Sequence, residues 1–386
     1  MFSVDVKKIE NTKYTNSGSF LQTPFWGEFK AEQGWKNARY LLSITPQEKM
    51  KSDSFRKSAE VSVLTREFGK GLLRFTLAYI PLFPSLCFDD VPVEEQTIEF
   101  SNMLFDIAKA LRSVLPKNTI CIKFDPAVEF ETPEERDEFD LGVKVVSFAD
   151  RLKIKKNKVD IQPPDSTLIN LLPDEEKILS AMKTKWRYNV NLSARKGVEV
   201  IKITGENEEL LKYLDIFYDL YKITAERDGI AIHSKKYYET LLKKSAEEIK
   251  AGKNVPLISL YIAKHESDYL GAIITLFSKT ESVYLYGCSS NVKRNLMPNF
   301  LLQWTAMKDA KAYGSKYYDM YGMPPTDNPN HPMHGLYLFK TGFGGKNIHR
   351  PGTFDVPTSL WYKPYSSAEK IRAFWHKKIL KKIRGR

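Results

Sequence analysis

The order of strand and helix patterns along the chain is the feature that most constrains its fold. Two alternating apolar runs, AEVSVLTREF and GLLRFTLAYIPLF, flank Gly69-Lys70-Gly71 and predict two strands joined by a turn. An amphipathic helix pattern follows at 93–115, and a short buried strand at 120–126 ends at Pro126. This order of strands and helix predicts a mixed α/β unit.

A similar pattern restarts after a charged, proline-broken stretch at 150–165. It begins with a strand at 166–172 and one helix from Pro173, with acidic residues in its first turn and Lys183, Lys185 and Arg187 later, an order that suits the helix dipole. Further strands are expected at 198–204, at 255–264, 269–278 and 282–290 as a meander, and at 316–322, and further helices at 206–227, 235–250 and 299–314. The sequence therefore predicts two α/β units in succession.

Charge and cysteine content narrow the function classes. The chain has 59 Lys and Arg against 47 Asp and Glu, a net charge of +12, which favours anionic partners such as nucleic acid, nucleotide-sugar phosphates or an acidic membrane face. Three widely spaced cysteines (Cys87, Cys121 and Cys288) argue against a disulfide framework and a structural zinc site. Without a leader-like N-terminus or a membrane-length apolar stretch, a cytoplasmic location is expected.

The last residues, 370–386, form a basic amphipathic pattern. KIRAFWHKKILKKIRGR has eight basic residues and no acid, with apolar residues on one helical face. Such a segment can lie on an anionic membrane or an RNA backbone, or pack on the body of the protein. Peripheral membrane contact through 370–386 is therefore one expectation.

Three local motifs invite a chemical interpretation, and each has a simpler one. Arg66-Glu-Phe-Gly69-Lys-Gly71 matches the R-x-x-G-x-G loop that holds coenzyme A phosphates, but a strand pattern follows it, which favours a hairpin turn. Gly342-Phe-Gly344-Gly345 is read as a tight turn. His331 and His334 lack a third ligand at useful spacing, so no metal site is predicted.

A basic cluster with interleaved aromatic residues lies near the start of the second unit. Its cations are Lys183, Lys185, Arg187, Arg195 and Lys196, and Trp186 and Tyr188 lie among them. Cations with aromatic side chains suit nucleotide or RNA contacts, although a solvated basic face is the commoner meaning.

The segment KTKWRYNVNLSARKGVEV at 183–200 resembles the one that opens the second domain of the FemABX family, the non-ribosomal peptidyltransferases that build peptidoglycan cross-bridges. Five further segments resemble motifs of that family in the same order, and the resemblance spans about residues 19–365. These segments are FWGEFK at 25–30, IKFDP at 122–126, AERDGI at 225–230 with Tyr237-Tyr238, YYDMYG at 317–322, and GLYLFKTGFGG at 335–345.

The resemblance implies two tandem acetyltransferase-like (GNAT) domains with mixed sheets. The first would comprise residues 1–165, on the precursor side, completed by 351–386; the second would comprise 166–350. About twenty residues separate Tyr237 from the strand at Leu257, so the coiled-coil arm of some members is expected to be absent. Such compact members act alone, so a monomer is expected.

The resemblance also implies residue roles. Lys30 matches a lysine that contacts the precursor's phosphates, and Trp26 belongs to the same helix motif. Asp125, Tyr237 and Tyr286 match residues of the precursor cleft. His233 falls where a basic partner is expected, and a histidine is a weaker phosphate ligand at neutral pH.

Phe339 and Lys340 match the pair that engages the aminoacyl end of the tRNA. The catalytic hypothesis is that Lys340 supplies positive charge to the oxyanion or the terminal ribose, and that Asp125 orients the amine or receives its proton. Lys183, Lys185, Arg187 and Arg195 are the candidate tRNA contacts.

The expected function is tRNA-dependent transfer of an amino acid to the stem peptide of a peptidoglycan precursor, either lipid II or UDP-MurNAc-pentapeptide. The aminoacyl-tRNA is a co-substrate, and no cofactor is expected. Two alternatives are a coenzyme A-dependent N-acyltransferase on the same fold and a non-catalytic protein that binds RNA or membrane.

Overall fold

The computed structural model describes residues 1–10, 18–47, 57–83, 93–369 and 371. Their strands form two seven-stranded mixed sheets, which confirms the predicted mixed α/β class. The strands are β1 (Phe2–Ile9), β2 (Lys36–Pro46), β3 (Lys57–Phe68), β4 (Phe75–Phe83), β5 (Thr119–Pro126), β6 (Lys155–Lys156), β7 (Asp165–Asn170), β8 (Glu199–Thr204), β9 (Leu257–His265), β10 (Asp268–Phe277), β11 (Glu281–Ser289), β12 (Tyr317–Asp319), β13 (Lys346–His349) and β14 (Phe354–Pro357).

The helices cover both sheets. They are α1 (Pro24–Glu32), α2 (Val93–Arg112), α3 (Pro133–Ala149), α4 (Glu175–Ala181), α5 (Thr184–Arg195), α6 (Leu210–Asp228), α7 (Lys235–Lys250), α8 (Pro298–Tyr313) and α9 (His334–Thr341). None of those in the described ranges is long and apolar enough to cross a bilayer.

The sheet orders show how the chain passes between the two halves. The first sheet has the order β1-β2-β3-β4-β5-β14-β6, and the second has the order β13-β7-β12-β11-β10-β9-β8. Strand β14 therefore returns to the first sheet, where Phe354 pairs with Phe124 of β5 and Lys156 of β6. The domain bounds given above stay a prediction.

The β3–β4 connection is the predicted hairpin. Gly69 has φ +81°, and a Cβ there would lie 2.3 Å from the carbonyl oxygen of Leu73, so glycine is required. A three-residue 3-10 turn, Gly71–Leu73, leads directly into β4. The hairpin interpretation of the R-x-x-G-x-G match is confirmed, because no long helix follows to present its N-terminus to a phosphate.

The single helix predicted from Pro173 is wrong, because the chain breaks between α4 and α5. Met182 and Lys183 have extended backbones, and the Lys183 N–H donates to the Gly342 carbonyl at 2.9 Å instead of continuing α4. Lys185 and Arg187 thus begin a second helix, at the positive end of its dipole, so the predicted agreement with the dipole is also wrong.

Helix α1 connects the two sheets. On one side α1 packs on β2. Gly27 allows the helix to approach that strand closely, because a Cβ there would lie 2.2 Å from the side-chain amide of Asn37. Its aromatic side chains instead join the core of the second sheet: Phe29 packs edge-to-face on Tyr237 of α7 at 4.9 Å. Lys244 of α7 adds an ion pair to Glu32 at 3.0 Å. This packing places the end of α1 beside the second half of the chain.

The residues between α6 and β9 are all described and contain only α7 and short connections. The predicted absence of a coiled-coil arm at this point is confirmed. Strands β1 and β2 and helix α3 are elements that the pattern analysis did not identify.

Candidate active site between the two sheets

Tyr321 lies at the centre of the predicted site residues. It follows β12 in a left-handed conformation, φ +49°, which is unfavourable for a residue with a side chain. The Asp319 carboxylate accepts its backbone N–H at 2.7 Å. Burial, then the nearby Asp319 charge, raises the pKa of the Tyr321 phenol, so the hydroxyl stays a neutral donor.

Lys340 holds the backbone of this turn. Its ammonium donates to the carbonyls of Met320 (2.6 Å), Gly322 (2.8 Å) and Tyr321, and the residue is 4% exposed. An ammonium has three N–H donors, so all three are used. Burial lowers the pKa of Lys340 to about 7, and Asp319 opposes that shift. Lys340 reaches an oxyanion only by exchanging one of these hydrogen bonds, and its catalytic role stays a prediction.

Asp125 is joined to Tyr321 by a buried hydrogen-bond chain. Its carboxylate accepts from the hydroxyls of Tyr79 and Thr353. The Gln162 side chain hydrogen-bonds Tyr79 and accepts from the Tyr321 hydroxyl. We call Thr353, Asp125, Tyr79, Gln162 and Tyr321 the hydrogen-bond chain, and it connects the first sheet to the second.

Burial raises the pKa of Asp125 to about 6, while its two hydroxyl donors act in the opposite direction. The group is therefore mainly a carboxylate at neutral pH and close to its titration range. That is suitable for a proton acceptor, although both of its oxygens already have partners.

The Lys30 side chain enters the region between the two sheets from the last turn of α1. Its Nζ lies 5.6 Å from the Tyr237 ring centroid and 6.0 Å from that of Trp26. The Tyr237 and Tyr286 hydroxyls are 3.1 Å apart, and burial raises the pKa of Tyr237 to about 12. Burial and then the neighbouring phenols, Tyr321 among them, raise the pKa of Tyr286. Tyr237 is in turn among the groups that raise the pKa of Tyr321, after burial and Asp319. Trp26 is 6% exposed and packs mainly on Phe20 and Phe29.

His233 stacks on Tyr237, with ring centroids 4.0 Å apart and an interplanar angle of 13°. Burial, then the charge of Lys30, lowers the pKa of His233, so the imidazole is neutral at physiological pH. It thus lies where a basic partner was expected but carries no charge there.

Phe339 lies in α9, directly before Lys340, and packs on Phe300 and Phe343 at 5.2 Å each. Its carbonyl accepts from the Trp186 indole at 2.8 Å, which ties α9 to α5. The start of α5 therefore lies beside α9.

The four candidate tRNA contacts differ in their surroundings. Lys183, Lys185 and Arg195 are exposed, and Arg195 lies 6.0 Å from the Tyr188 ring. Arg187 instead donates to the carbonyls of Ser180 (2.9 Å) and Met182, where α4 ends. The structure thus leaves three of the four free for a ligand, and their tRNA role stays a prediction.

The structure adds four residues that the sequence analysis did not single out: Tyr79, Gln162, Thr353 and Tyr321. Tyr321 lay within the YYDMYG segment at 317–322, so a signal existed for it. Gln162 lay in the proline-broken linker, where no pattern pointed to it. The other two, Tyr79 and Thr353, are identified only by their contacts with Asp125 in the structure, and the local sequence contains no signal for them.

Two other features lie apart from this junction. Within the described ranges no group of His, Cys, Asp or Glu could hold a metal ion; His334 pairs with Asp327, and His331 accepts the Met333 N–H. A cavity of about 460 Å³ lies between the start of α1 and the 253–256 segment, with Glu28, Lys253 and Lys279 among its lining residues. None of the predicted site residues lines that cavity.

Comparison with known proteins gives one family match. The model of the FemAB family matches residues 9–251 and 256–370. A lipid II:glycine glycyltransferase from Staphylococcus haemolyticus (strain JCSC1435) is 25% identical, with 96% of each chain covered. A lipid II:glycine glycyltransferase from Staphylococcus aureus (strain COL) is 24% identical, with 88% of each chain covered.

Among solved structures, FemX superimposes with a TM-score of 0.66 at 21% identity, covering 92% of this chain and 97% of the other. A shared fold over this length confirms the fold class that the resemblance implied.

Proposed function

Because the chain belongs to the FemAB family, we propose that it transfers an amino acid from an aminoacyl-tRNA to the stem peptide of a peptidoglycan precursor. The observation that carries the proposal is the near full-length match to relatives named as lipid II:glycine glycyltransferases. Fold alone would not justify an activity, since acetyltransferase-like folds host several chemistries.

The reaction asks the site for two things. The aminoacyl ester is already activated, but the attacking amine has an ordinary pKa of about 10.4 and must lose a proton. The tetrahedral intermediate then needs positive charge or hydrogen-bond donors near its oxygen. Asp125, ionised at neutral pH, is the acceptor we assign to the amine's proton, directly or through the Tyr79 hydroxyl.

We assign Lys340 mainly to positioning. With its three N–H donors on the carbonyls of residues 320–322, it keeps Tyr321 aimed at the hydrogen-bond chain. In its protonated form, Lys340 places a positive charge behind this turn that favours an anion in front of it, so the predicted help to the oxyanion would act through the turn.

The lipid-linked precursor is the acceptor that we favour. The two curated relatives carry lipid II in their names, and large apolar side chains are exposed at one end of the first sheet. Leu73, Leu360 and Trp361 are 70%, 82% and 62% exposed. Phe75 contacts Tyr365 at 5.5 Å, which brings the hairpin and the 362–369 helix together.

Lys70 and Lys363 lie among these apolar side chains, a composition that suits an anionic membrane surface. The basic pattern at 370–386 continues from the same helix, and all of it except Ile371 lies outside the described residues. We propose that this end of the protein meets the membrane that holds the acceptor.

The aminoacyl-tRNA is the donor we infer from the residue pattern. Lys183, Lys185 and Arg195 form an exposed basic face on α5, and α5 is tied to α9 through Trp186 and Phe339. A nucleic-acid backbone on this face would bring its end toward the turn that Lys340 holds. No feature of the described residues favours coenzyme A over this donor, since the β3–β4 turn leads into a strand.

The decisive experiment combines purified protein with one labelled aminoacyl-tRNA at a time and with lipid-linked or nucleotide-linked precursor, and identifies products by mass spectrometry. We expect one amino acid, with glycyl-tRNA tested first, to appear on the stem peptide of the lipid-linked precursor. Transfer from acetyl-CoA but from no aminoacyl-tRNA would replace this proposal by the N-acyltransferase alternative. Binding of RNA or vesicles without any transfer would leave a non-catalytic protein.

A further inference from the structure

Helix α3 has two apolar faces, and only one of them is buried. Val143 and Val146 lie in the core of the first sheet. Leu141, Val145 and Phe148 lie on the opposite face, at i, i+4 and i+7, and are 59%, 58% and 89% exposed. We call these three residues the α3 stripe. A surface helix ordinarily turns polar residues toward solvent, so the α3 stripe needs an explanation.

A single exposed apolar side chain is common and needs none. The three residues of the α3 stripe differ because they form a continuous strip about 10 Å long, at a rise of about 1.5 Å per residue. Each of them stays more than half exposed, so the described residues do not cover the strip. Its apolar surface is therefore available to a partner.

Charge is divided by position along α3 and the residues that follow it. Residues 131–140 contain six acidic residues and one arginine, whereas residues 141–156 contain five basic residues and one acid, Asp150. Lys144 lies on the same face as the α3 stripe, is exposed and has no ion-pair partner among the described residues. Acids at the start of a helix suit its dipole, but the dipole does not explain apolar side chains at the other end.

The turn between α3 and β6 adds two exposed cations. Arg151 and Lys153 have φ +56° and +61°, an unfavourable region for residues with side chains. Leu152 and Ile154 are buried in the core of the first sheet, and the Ser147 hydroxyl donates to the Ile154 carbonyl at 3.0 Å. This alternation of core and surface residues keeps both cations at the surface.

Strand register places this turn at the end of the first sheet where Leu360 and Trp361 are exposed. Lys155 of β6 pairs with Asp355 of β14, and the two strands are antiparallel. The chain before Lys155 therefore lies toward Pro357, the last residue of β14. Leu360 and Trp361 follow β14 at the same end.

The two exposed apolar surfaces lie on opposite faces of that sheet. Helix α3 packs in the core that contains Val356, whereas Tyr362 packs with Cys121 in a separate cluster. A flat partner at this end of the sheet can contact both surfaces. An RNA backbone would bind the cations but leave Phe148 exposed, whereas an anionic bilayer offers an apolar layer beneath anionic headgroups.

We propose that the C-terminal half of α3 and the α3–β6 turn form a second membrane contact. Phe148 enters the boundary between headgroups and acyl chains, and Lys144, Arg151 and Lys153 bind anionic headgroups. Contacts from both faces of the first sheet then hold it in one orientation, with this end on the bilayer. The inference rests on the proposed function for the presence of a membrane, and on no residue of the transfer site.

The test measures co-sedimentation of the full chain with phosphatidylcholine vesicles that contain about 30% phosphatidylglycerol, without precursor or tRNA. We expect Phe148→Ser to weaken vesicle binding by about five- to twentyfold, because an aromatic side chain leaves the interface. Leu141→Ser should lose less, because Leu141 lies two turns farther from the end of the sheet.

The cations are tested by the double variant Arg151→Gln with Lys153→Gln. Its binding to these vesicles should fall by about ten- to thirtyfold, since each cation near an anionic surface contributes roughly fivefold. On vesicles of phosphatidylcholine alone, the double variant should bind like the wild type. An equal loss on both kinds of vesicle would overturn the electrostatic part of the proposal.

Val159→Ser is the matched control for the apolar residues. Val159 is also exposed, but it precedes Asp160, whose carboxylate accepts the Thr353 N–H at 2.8 Å before β14 begins, at the opposite end of the sheet. Val159→Ser should bind vesicles like the wild type, and equal melting temperatures exclude misfolding of each variant. Wild-type vesicle binding by Phe148→Ser would overturn the proposal. A dimer that Phe148→Ser dissociates in sedimentation equilibrium, with vesicle binding unchanged, would replace the membrane by a second copy.

The vesicle assay also separates this inference from the proposed function. If no aminoacyl-tRNA supports transfer but vesicle binding depends on Phe148, the activity is wrong and the membrane contact stands. If the protein transfers an amino acid and Phe148→Ser binds vesicles like the wild type, the contact is wrong and the activity stands.

Discussion

The two ends of the candidate site hold their lysines in opposite ways. Lys30 is half-buried, lies against the rings of Trp26 and Tyr237 and has no carboxylate partner among the described residues. Lys340 is buried, and each of its N–H donors meets a backbone carbonyl of residues 320–322. Sequence motifs suggested that both lysines touch substrate, and they do not reveal this difference.

From this difference we expect the number of uncommitted N–H donors to separate a ligand-binding lysine from a positioning one. A free cation next to aromatic rings gains by meeting an anion. A cation that already satisfies three carbonyls loses hydrogen bonds if it moves. The two lysines should therefore respond differently to the same substitution.

Lys340→Met should give the largest effect. It leaves the carbonyls of residues 320–322 buried without donors and should lower the free energy of unfolding by about 3 kcal/mol. Transfer should fall because Tyr321 is no longer held in its left-handed conformation. Urea denaturation and single-turnover transfer measure the two effects.

Lys346→Met is the control for that substitution, because Lys346 is exposed and pairs only with the exposed Glu131. It should leave stability and transfer nearly unchanged. If Lys340→Met were as stable as the wild type and lost only transfer, Lys340 would be a direct contact of the substrate, and the contrast with Lys30 would disappear.

Asp125→Asn tests the charge state of the buried carboxylate in the hydrogen-bond chain. The pKa of Asp125 is about 6 in the folded protein against an ordinary 3.8, so the folded state binds the extra proton between these values. Wild-type stability should therefore fall relative to Asp125→Asn as pH rises from about 4 to 6, by about 2 kcal/mol, and then stay level. Urea denaturation of both proteins across pH 4–8 measures that difference.

Other titrating groups are common to the two proteins and cancel in the comparison. A stability difference between the two proteins that stays constant across this pH range would mean that burial does not raise the pKa of Asp125. Transfer by the wild type should also decline as pH falls through about 6, because the carboxylate that receives the amine's proton becomes protonated.

Arg187 and Arg195 repeat the contrast within one helix and should give the smallest effects. Arg187→Ala removes the donor that satisfies the carbonyls at the end of α4 and should cost about 1 kcal/mol of stability. Arg195→Ala should leave stability unchanged and weaken tRNA binding by about two- to fivefold. Thermal melts and filter binding at fixed salt measure these outcomes.

If Arg195→Ala bound tRNA as tightly as the wild type while Arg187→Ala did not, Arg187 and not Arg195 would be the tRNA contact. Lys196→Ala, on the exposed residue after α5, is a second test of the same face.

Local signals predicted much of the fold. The hairpin needed only two alternating runs and Gly69, and the β9–β11 meander and α2 needed only their periodicity. The break between α4 and α5 depends on Gly342, which lies far away in sequence and accepts the Lys183 N–H. A local pattern cannot report a contact of that kind.

Sequence motifs indicated several residues of the candidate site, but not the hydrogen bonds that join them. Motifs indicated Lys30, Asp125 and Lys340, and the structure relates all three to Tyr321. Arg66 was noticed only as part of a turn, because its place beside the Trp35 ring depends on how the segment after α1 packs near β3. Gln162 is placed by the linker between the sheets, for which periodicity carries no information.

The position of α1 also has a consequence for how the protein is made. Phe29 lies near the N-terminus but finishes its packing on Tyr237, about two hundred residues later. On the ribosome, the aromatic face of α1 therefore stays uncovered until α6, α7 and their strands emerge. A long interval with an exposed aromatic helix favours capture of the nascent chain by chaperones, and we expect fragments cut between the two sheets to aggregate.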